Sequence, residues 1–265
     1  MLLLHGFPSS SVMFKGLMEK LSGDFHLIAP DYPGFGFSGF PDTDSFKYTF
    51  GNIAVCIDSF LRSIDVNEFF IYLHDYGSAI GLRICMKHPD RILGIIVQNG
   101  NAYMEGLGPQ WDETRDYWRN PTPEKVKAYL SEEGTKTQYT AGLPNHFLPQ
   151  LGPKVWLLDW ALLSRPGNID MQFDLNRDYS SNLQLFGSFQ QYFRTHQPAA
   201  LILWVKYDAF FSLEEAYCYQ RDLPNSNLHI LDGGHMLLLT NFEETSALVH
   251  KFCSATSGTR RKLNY

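Results

Sequence analysis

The sequence predicts an α/β fold, a mostly parallel sheet flanked by helices and interrupted by an inserted helical segment. Over the first hundred residues, short unbroken apolar runs alternate with segments whose apolar residues recur every three or four positions, the pattern of a parallel sheet covered on both faces. The same rhythm returns from Ala200. Between the two lies a stretch with no strand pattern, broken by Pro109, Pro121, Pro123, Pro144, Pro149, Pro153 and Pro166 and rich in Trp and Tyr.

Leu2 to Leu4 read as a strand ending in the tight turn His5-Gly6-Phe7-Pro8. Ser9 to Ser11 can cap a helix over Val12 to Leu21, where Phe14, Leu17, Met18 and Leu21 share a face. His26 to Asp31 is the next expected strand, running into the glycine-rich loop Pro33 to Gly39. A helix from Thr49 to Ile64 places Phe50, Ile53, Ile57, Leu61 and Ile64 on one side. The strand 69–74 then meets Asp75, turns at Gly77 and continues as a helix that Pro89 ends. Ile92 to Gln98 is a further strand, closing at Asn99-Gly100-Asn101.

Residues 102–186 are expected to form a helical lid, and a helix near 183–195 leads back to the sheet. Ala200 to Val205, a helix over 213–221, Asn227 to Leu231 and a closing helix over 241–252 complete the pattern. The expected organisation is a core of residues 1–101 and 187–255, the 102–186 insertion, and a flexible tail at 256–265.

Apolar residues make up 44% of the chain and charged residues 19%, enough for a sizeable core. A net charge of −6 argues against a nucleic-acid partner, and the Arg260-Arg261-Lys262 run reads as a solvated end. The four cysteines have neither paired nor metal-type spacing. No apolar run reaches transmembrane length and no leader pattern is present, so a cytoplasmic protein with no membrane partner is expected.

Asp75, Asp208 and His235 each stand just beyond the C-terminal end of an expected strand, the edge where open parallel sheets bind ligands. Taken singly, Asp75 reads equally as a helix N-cap and Asp208 as a turn residue. Together, in the order nucleophile, acid, histidine, they read as a triad.

With these motifs in hand, the chain resembles the α/β-hydrolase fold from that fold's third strand onward, so the first two strands of the family are expected to be missing. His5-Gly6-Phe7-Pro8 is similar to the family's oxyanion turn, which implies that the backbone N–H groups of Phe7 and Tyr76 face a developing oxyanion. His74-Asp75-Tyr76-Gly77 resembles the elbow of the epoxide hydrolase and haloalkane dehalogenase branch, with Tyr in place of Trp. Gln98 to Tyr103, Arg165 to Asn168 and Trp204 to Asp208 are similar to a group of Asp-nucleophile hydrolases of unknown substrate. Val205 in place of Gly, and Met236-Leu237-Leu238 after the histidine, depart from the family pattern.

The resemblance implies an Asp75 nucleophile forming an alkyl ester, hydrolysed by water that His235 activates while Asp208 orients the imidazole. That branch holds halide with an indole N–H after the nucleophile. Tyr76 and Phe7 supply none, so epoxide opening is expected ahead of dehalogenation or other ester and C–X hydrolysis. Epoxide hydrolases protonate the opening oxygen from two lid tyrosines. Tyr139, Tyr179 and Tyr192 are the candidates, and Tyr139 and Tyr179 are preferred. A ligand-binding member without catalysis is the alternative of another class. The expected partner is a small-molecule substrate, with a homodimer left open and with no cofactor or metal.

Overall fold

The structure, a computed structural model, describes residues 1–263, with side chains through residue 258. Among these residues, β1 (Leu2–Leu4), β2 (Phe69–His74), β3 (Ile92–Gln98), β4 (Ala200–Val205) and β5 (Asn227–Leu231) form one parallel sheet in the order β1-β2-β3-β4-β5.

Alternate side chains of each strand enter two separate apolar layers, as the two-residue period requires. Leu2, Leu4, Ile71, Leu73, Ile95, Val97, Ile202 and Trp204 join one layer with α2 (Phe50–Ser63) and α3 (Tyr76–Lys87). Leu3, Phe70, Tyr72, Ile96, Leu201 and Leu203 join the other with α1 (Lys15–Leu21) and the closing helix. Because both faces are covered, the strands could be read as unbroken apolar runs.

The expected strand at His26–Asp31 is reduced to a single bridge. Leu3 N–H donates to Ile28 O (2.8 Å) and Ile28 N–H to Met1 O (2.9 Å). Pro30 has no N–H to extend the ladder. Asp31 turns its carboxylate to cap the neighbouring loops, accepting from Ser11 N (2.7 Å) and Phe37 N (2.8 Å).

No strand forms between β3 and β4 among the described residues. That stretch holds α4 (Asp112–Arg119), α5 (Pro123–Lys127), α6 (Glu132–Thr140), α7 (Lys154–Leu163), α8 (Asn168–Asp178) and α9 (Ser180–Leu183). The prolines bound these helices rather than kink them: Pro123 opens α5 and Pro153 precedes α7. Gly167, at φ 82°, supplies the left-handed residue before α8. The chain returns through α10 (Phe186–His196) to β4.

After β4 come α11 (Glu214–Asp222), β5, the short α12 (Leu237–Thr240) and α13 (Phe242–Leu263). The closing helix, expected to stop near residue 252, continues through most of the segment read as a tail. Val249, Phe252 and Cys253 fix it on the sheet, and a helix once anchored extends at little cost per residue. The rest of that expected tail, residues 264 and 265, lies outside the described residues.

Candidate active site

Three connections at the C-terminal edge of the sheet bring the predicted triad together. At the β2–α3 junction Asp75 adopts φ 50° and ψ −119°, a conformation that side chains rarely take and that marks a site held under strain. Three glycines make this possible. A Cβ on Gly6 would overlap the Asp75 side chain, one on Gly77 the Leu4 carbonyl, and one on Gly100 the Ser78 hydroxyl. The elbow is tied to β3 by Asp75 N–H donating to Asn99 O (3.1 Å).

The Asp75 carboxylate already sits on the two expected oxyanion donors. Phe7 N–H donates to Oδ1 at 2.7 Å, and Tyr76 N–H also bonds the carboxylate. Burial nevertheless dominates and raises the Asp75 pKa to about 6, against the opposing pull of His235 and those N–H groups.

Asp208, on the turn after β4, has an enclosed carboxylate with both oxygens in use. Its Oδ1 accepts from Phe210 N (2.7 Å) and Phe211 N (3.0 Å). Its Oδ2 meets His235 Nδ1 (2.9 Å) and accepts from Asn99 Nδ2 (2.6 Å). Burial alone would lower the His235 pKa. The charge and hydrogen bond of Asp208, with Asp75 adding to them, overcome it and leave the pKa raised. The ring is clasped by Phe211, stacked at 5.3 Å, and by Phe210 edge-on at 5.3 Å. His235 Nε2 is buried and has no partner among the described residues, so it is free to take a proton.

His5 and Gly6 shape the turn rather than react. The His5 ring stacks on Tyr32 at 4.0 Å, Tyr32 OH donates to His5 O at 2.8 Å, and burial lowers the His5 pKa to about 4, so it stays neutral. His74 is likewise pushed well down by burial and lies against Gln98.

A cavity of about 240 Å³ opens onto Asp75, walled by Phe7, Tyr76, Trp111, Tyr129, Tyr179 and Phe211. Tyr179 stands in this cavity beside Asp75: Asn101 Nδ2 donates to its oxygen (2.9 Å), which leaves the phenolic hydrogen free. Tyr139 is not there. It lines a different cavity and donates its hydroxyl to Asp159. Tyr192 packs beside Cys85, away from the pocket. The second phenol that the helical insertion brings to the cavity, beside Tyr76 of the core, is Tyr129, ten positions earlier than the residue expected. Its hydroxyl is buried, with the Asn176 side chain as its polar neighbour and no acceptor placed to take its hydrogen among the described residues.

Sequence reasoning also passed over Asn99, read only as a strand end, and Asn176, which reaches the Tyr76 hydroxyl at 3.5 Å. Asn99 had one legible signal, the Asn-Gly pair directly after a strand, because asparagine tolerates the positive φ (42°) it adopts. The indole that lines the cavity is engaged: Trp111 Nε1–H donates to Phe210 O at 2.7 Å. No group of three or more His, Cys, Asp or Glu side chains is placed to hold a metal among the described residues. No helix among them is long and apolar enough to cross a membrane.

Comparison with known proteins agrees with this geometry at the level of the fold. A family model described as the alpha/beta hydrolase fold matches residues 1–242. The uncharacterized hydrolase YNR064C of Saccharomyces cerevisiae is 39% identical over 91% of this chain and 84% of its own. A haloalkane dehalogenase of Mesorhizobium japonicum is 29% identical over 50% of this chain and 40% of its own length. Among solved structures, a thermophilic esterase from Thermogutta terrifontis superposes with a TM-score of 0.73 at 18% identity, over 96% of this chain and 89% of that one. A variant of the haloalkane dehalogenase DatA from Agrobacterium tumefaciens does so at 0.76 and 20%, with the same coverage. At such identities the likeness is one of fold.

Proposed function

The chain belongs to the α/β-hydrolase fold family and is a hydrolase, and from that premise we propose that it opens epoxides through a covalent ester on Asp75. One observation supports this reading above the others. The nucleophile faces a ring-lined cavity to which the helical insertion brings two phenols, Tyr129 and Tyr179, each with a hydroxyl hydrogen free to donate.

In the first step an Asp75 oxygen bonds to an epoxide carbon, the C–O bond of that carbon breaks, and the released oxygen takes a proton from a tyrosine. In the second, water attacks the ester carbonyl carbon of Asp75 and passes a proton to His235 Nε2, with Asp208 stabilising the imidazolium. The charge that develops on the Asp75 oxygen is met by the N–H groups of Phe7 and Tyr76. The ester collapses to an acid and a departing alkoxide. His235 protonates the alkoxide, the carboxyl proton restores the tyrosine, and the net product is a diol. The helical insertion serves as a lid in this scheme, because it supplies both phenols and most of the cavity wall.

The dehalogenase relatives favour a second reading, halide displacement on the same triad. It would need a donor to the leaving halide, and Trp111 has spent its N–H on a backbone carbonyl. The experiment that separates the two treats the His235→Gln variant with a terminal epoxide and with a 1-bromoalkane of equal chain length, then weighs the peptide bearing Asp75. An adduct from the epoxide alone supports the proposal. An adduct from the bromide alone assigns dehalogenation, and an adduct on a serine ends the Asp75 mechanism.

A further inference from the structure

Away from the triad lies a second cavity, of about 370 Å³, in the seam between the helical insertion and the core. Met13 and Gly16 form one wall, Val155 and Leu158 of α7 a second, and Met236, Leu238 and Phe242 a third. In this apolar lining stands one carboxyl, that of Asp159, only 3% exposed.

Tyr139 of α6 donates its hydroxyl to this carboxyl, and Ser9 hydrogen-bonds it from the turn after Phe7. Asp31 adds a second negative charge nearby. Lys15 and Lys154 stand at the rim. Lys15 is 71% exposed and turns its ammonium to Glu19, and Lys154 is exposed at the start of α7. Among the described residues no Arg, Lys or His forms an ion pair with Asp159. Burial accordingly raises its pKa to about 7.

A carboxylate in apolar surroundings without a cation is an uncompensated charge. An alkyl chain ending in an ammonium group would supply both missing parts, apolar contact for the walls and a charge for the acid. A carboxylate head would be repelled, and an uncharged chain would leave the charge unmet. We propose that this cavity binds a lipophilic amine, its ammonium on Asp159 and its chain along Met13, Met236, Leu238 and Phe242. The assignment is independent of the chemistry at Asp75.

Octylamine is the probe, titrated calorimetrically into the full chain at pH 8 and pH 6, with octanol and octanoate as equal-length controls. One octylamine per chain is expected at pH 8. Binding should weaken at pH 6, because Asp159 protonates while an amine of pKa about 10 does not. Asp159→Asn should weaken it by about tenfold or more, the loss of a charge-assisted contact. If Asp159→Asn fails to fold, Leu158→Trp decides: it leaves the acid in place, fills the mouth of the cavity, and should abolish binding. Asp75→Asn should bind octylamine as the wild type does. The proposal is overturned if octylamine does not bind, if octanol or octanoate binds equally well, if binding does not weaken at pH 6, if a folded Asp159→Asn or Leu158→Trp leaves binding unchanged, or if Asp75→Asn removes it.

Discussion

Asn99 holds the Asp208 carboxylate with its side-chain amide at 2.6 Å while its own carbonyl accepts the N–H of Asp75 at 3.1 Å. One residue thus fixes the relative positions of the acid and the elbow. Without its amide, Asp208 would keep one fewer donor and His235 a less secure orientation. Asn99→Gly isolates the effect, since glycine accepts the positive φ at no steric cost. A loss of about 10- to 100-fold in kcat, with KM nearly unchanged, is expected for removing a hydrogen bond to a buried charge. Steady-state kinetics on a terminal epoxide would show it, and an unchanged kcat would confine Asn99 to a structural role.

Asp75 should be costly to stability as well as necessary for turnover. Its folded pKa is raised from 3.8 to about 6, so the stability linked to its neutral form is complete below about pH 4 and lost as pH rises through 6. Ionising it at neutral pH costs up to about 3 kcal/mol. Asp75→Asn is therefore expected to abolish turnover and raise Tm at pH 7.5, with the gain vanishing near pH 4. Thermal unfolding at the two pH values tests this, and a lower Tm for the variant at pH 7.5 would contradict the desolvation argument.

Activity should rise with pH along one limb. In the proposed mechanism Asp75 must be ionised to attack, and His235 must be neutral to take the water's proton. The first requirement is met above about pH 6, and the raised pKa of His235 moves the second above 6.5. The limb of kcat/KM should be set by both groups. Asp208→Asn, which removes the main support of the imidazolium, should lower kcat by about 10³–10⁴-fold. A full pH–rate profile of the wild type and the variant is the measurement.

The tyrosines give a sharper contrast. Tyr129→Phe and Tyr179→Phe should each cut epoxide turnover by about 10²-fold or more, the range for a general acid. Tyr192→Phe, remote from the cavity, should stay within about twofold. Equal behaviour of all three variants would remove the phenols from the mechanism.

That Asp75, Asp208 and His235 would meet was legible because each sits where a local pattern ends. An apolar run stops at Asp75, another stops before Asp208, and a third runs into Gly233-Gly234-His235. Such punctuation is written in consecutive residues. Which tyrosine of the insertion faces Asp75 is not, because α4 to α9 are short and their mutual orientation is set by packing across the chain. Tyr129 and Tyr139 are ten positions apart in the same insertion, yet one shares a cavity with Asp75 and the other meets Asp159. The strand expected at His26–Asp31 failed for a simpler reason. Its apolar residues fit, but Pro30 and the use of Asp31 as a loop cap leave too little backbone for a ladder.

The seat formed by Phe7 and Tyr76 is taken from the outset by an oxygen of Asp75 itself. A hydrolase that attacks acyl substrates needs that seat vacant, ready to welcome the carbonyl of the incoming ester. Here an ester would have to evict Asp75 before it could be polarised, giving up a 2.7 Å contact to gain another of the same kind. On the proposed mechanism, tenancy of the seat would filter substrates before any chemistry begins, admitting electrophiles that come to the carboxylate through carbon and turning away those that must first be held by their oxygen.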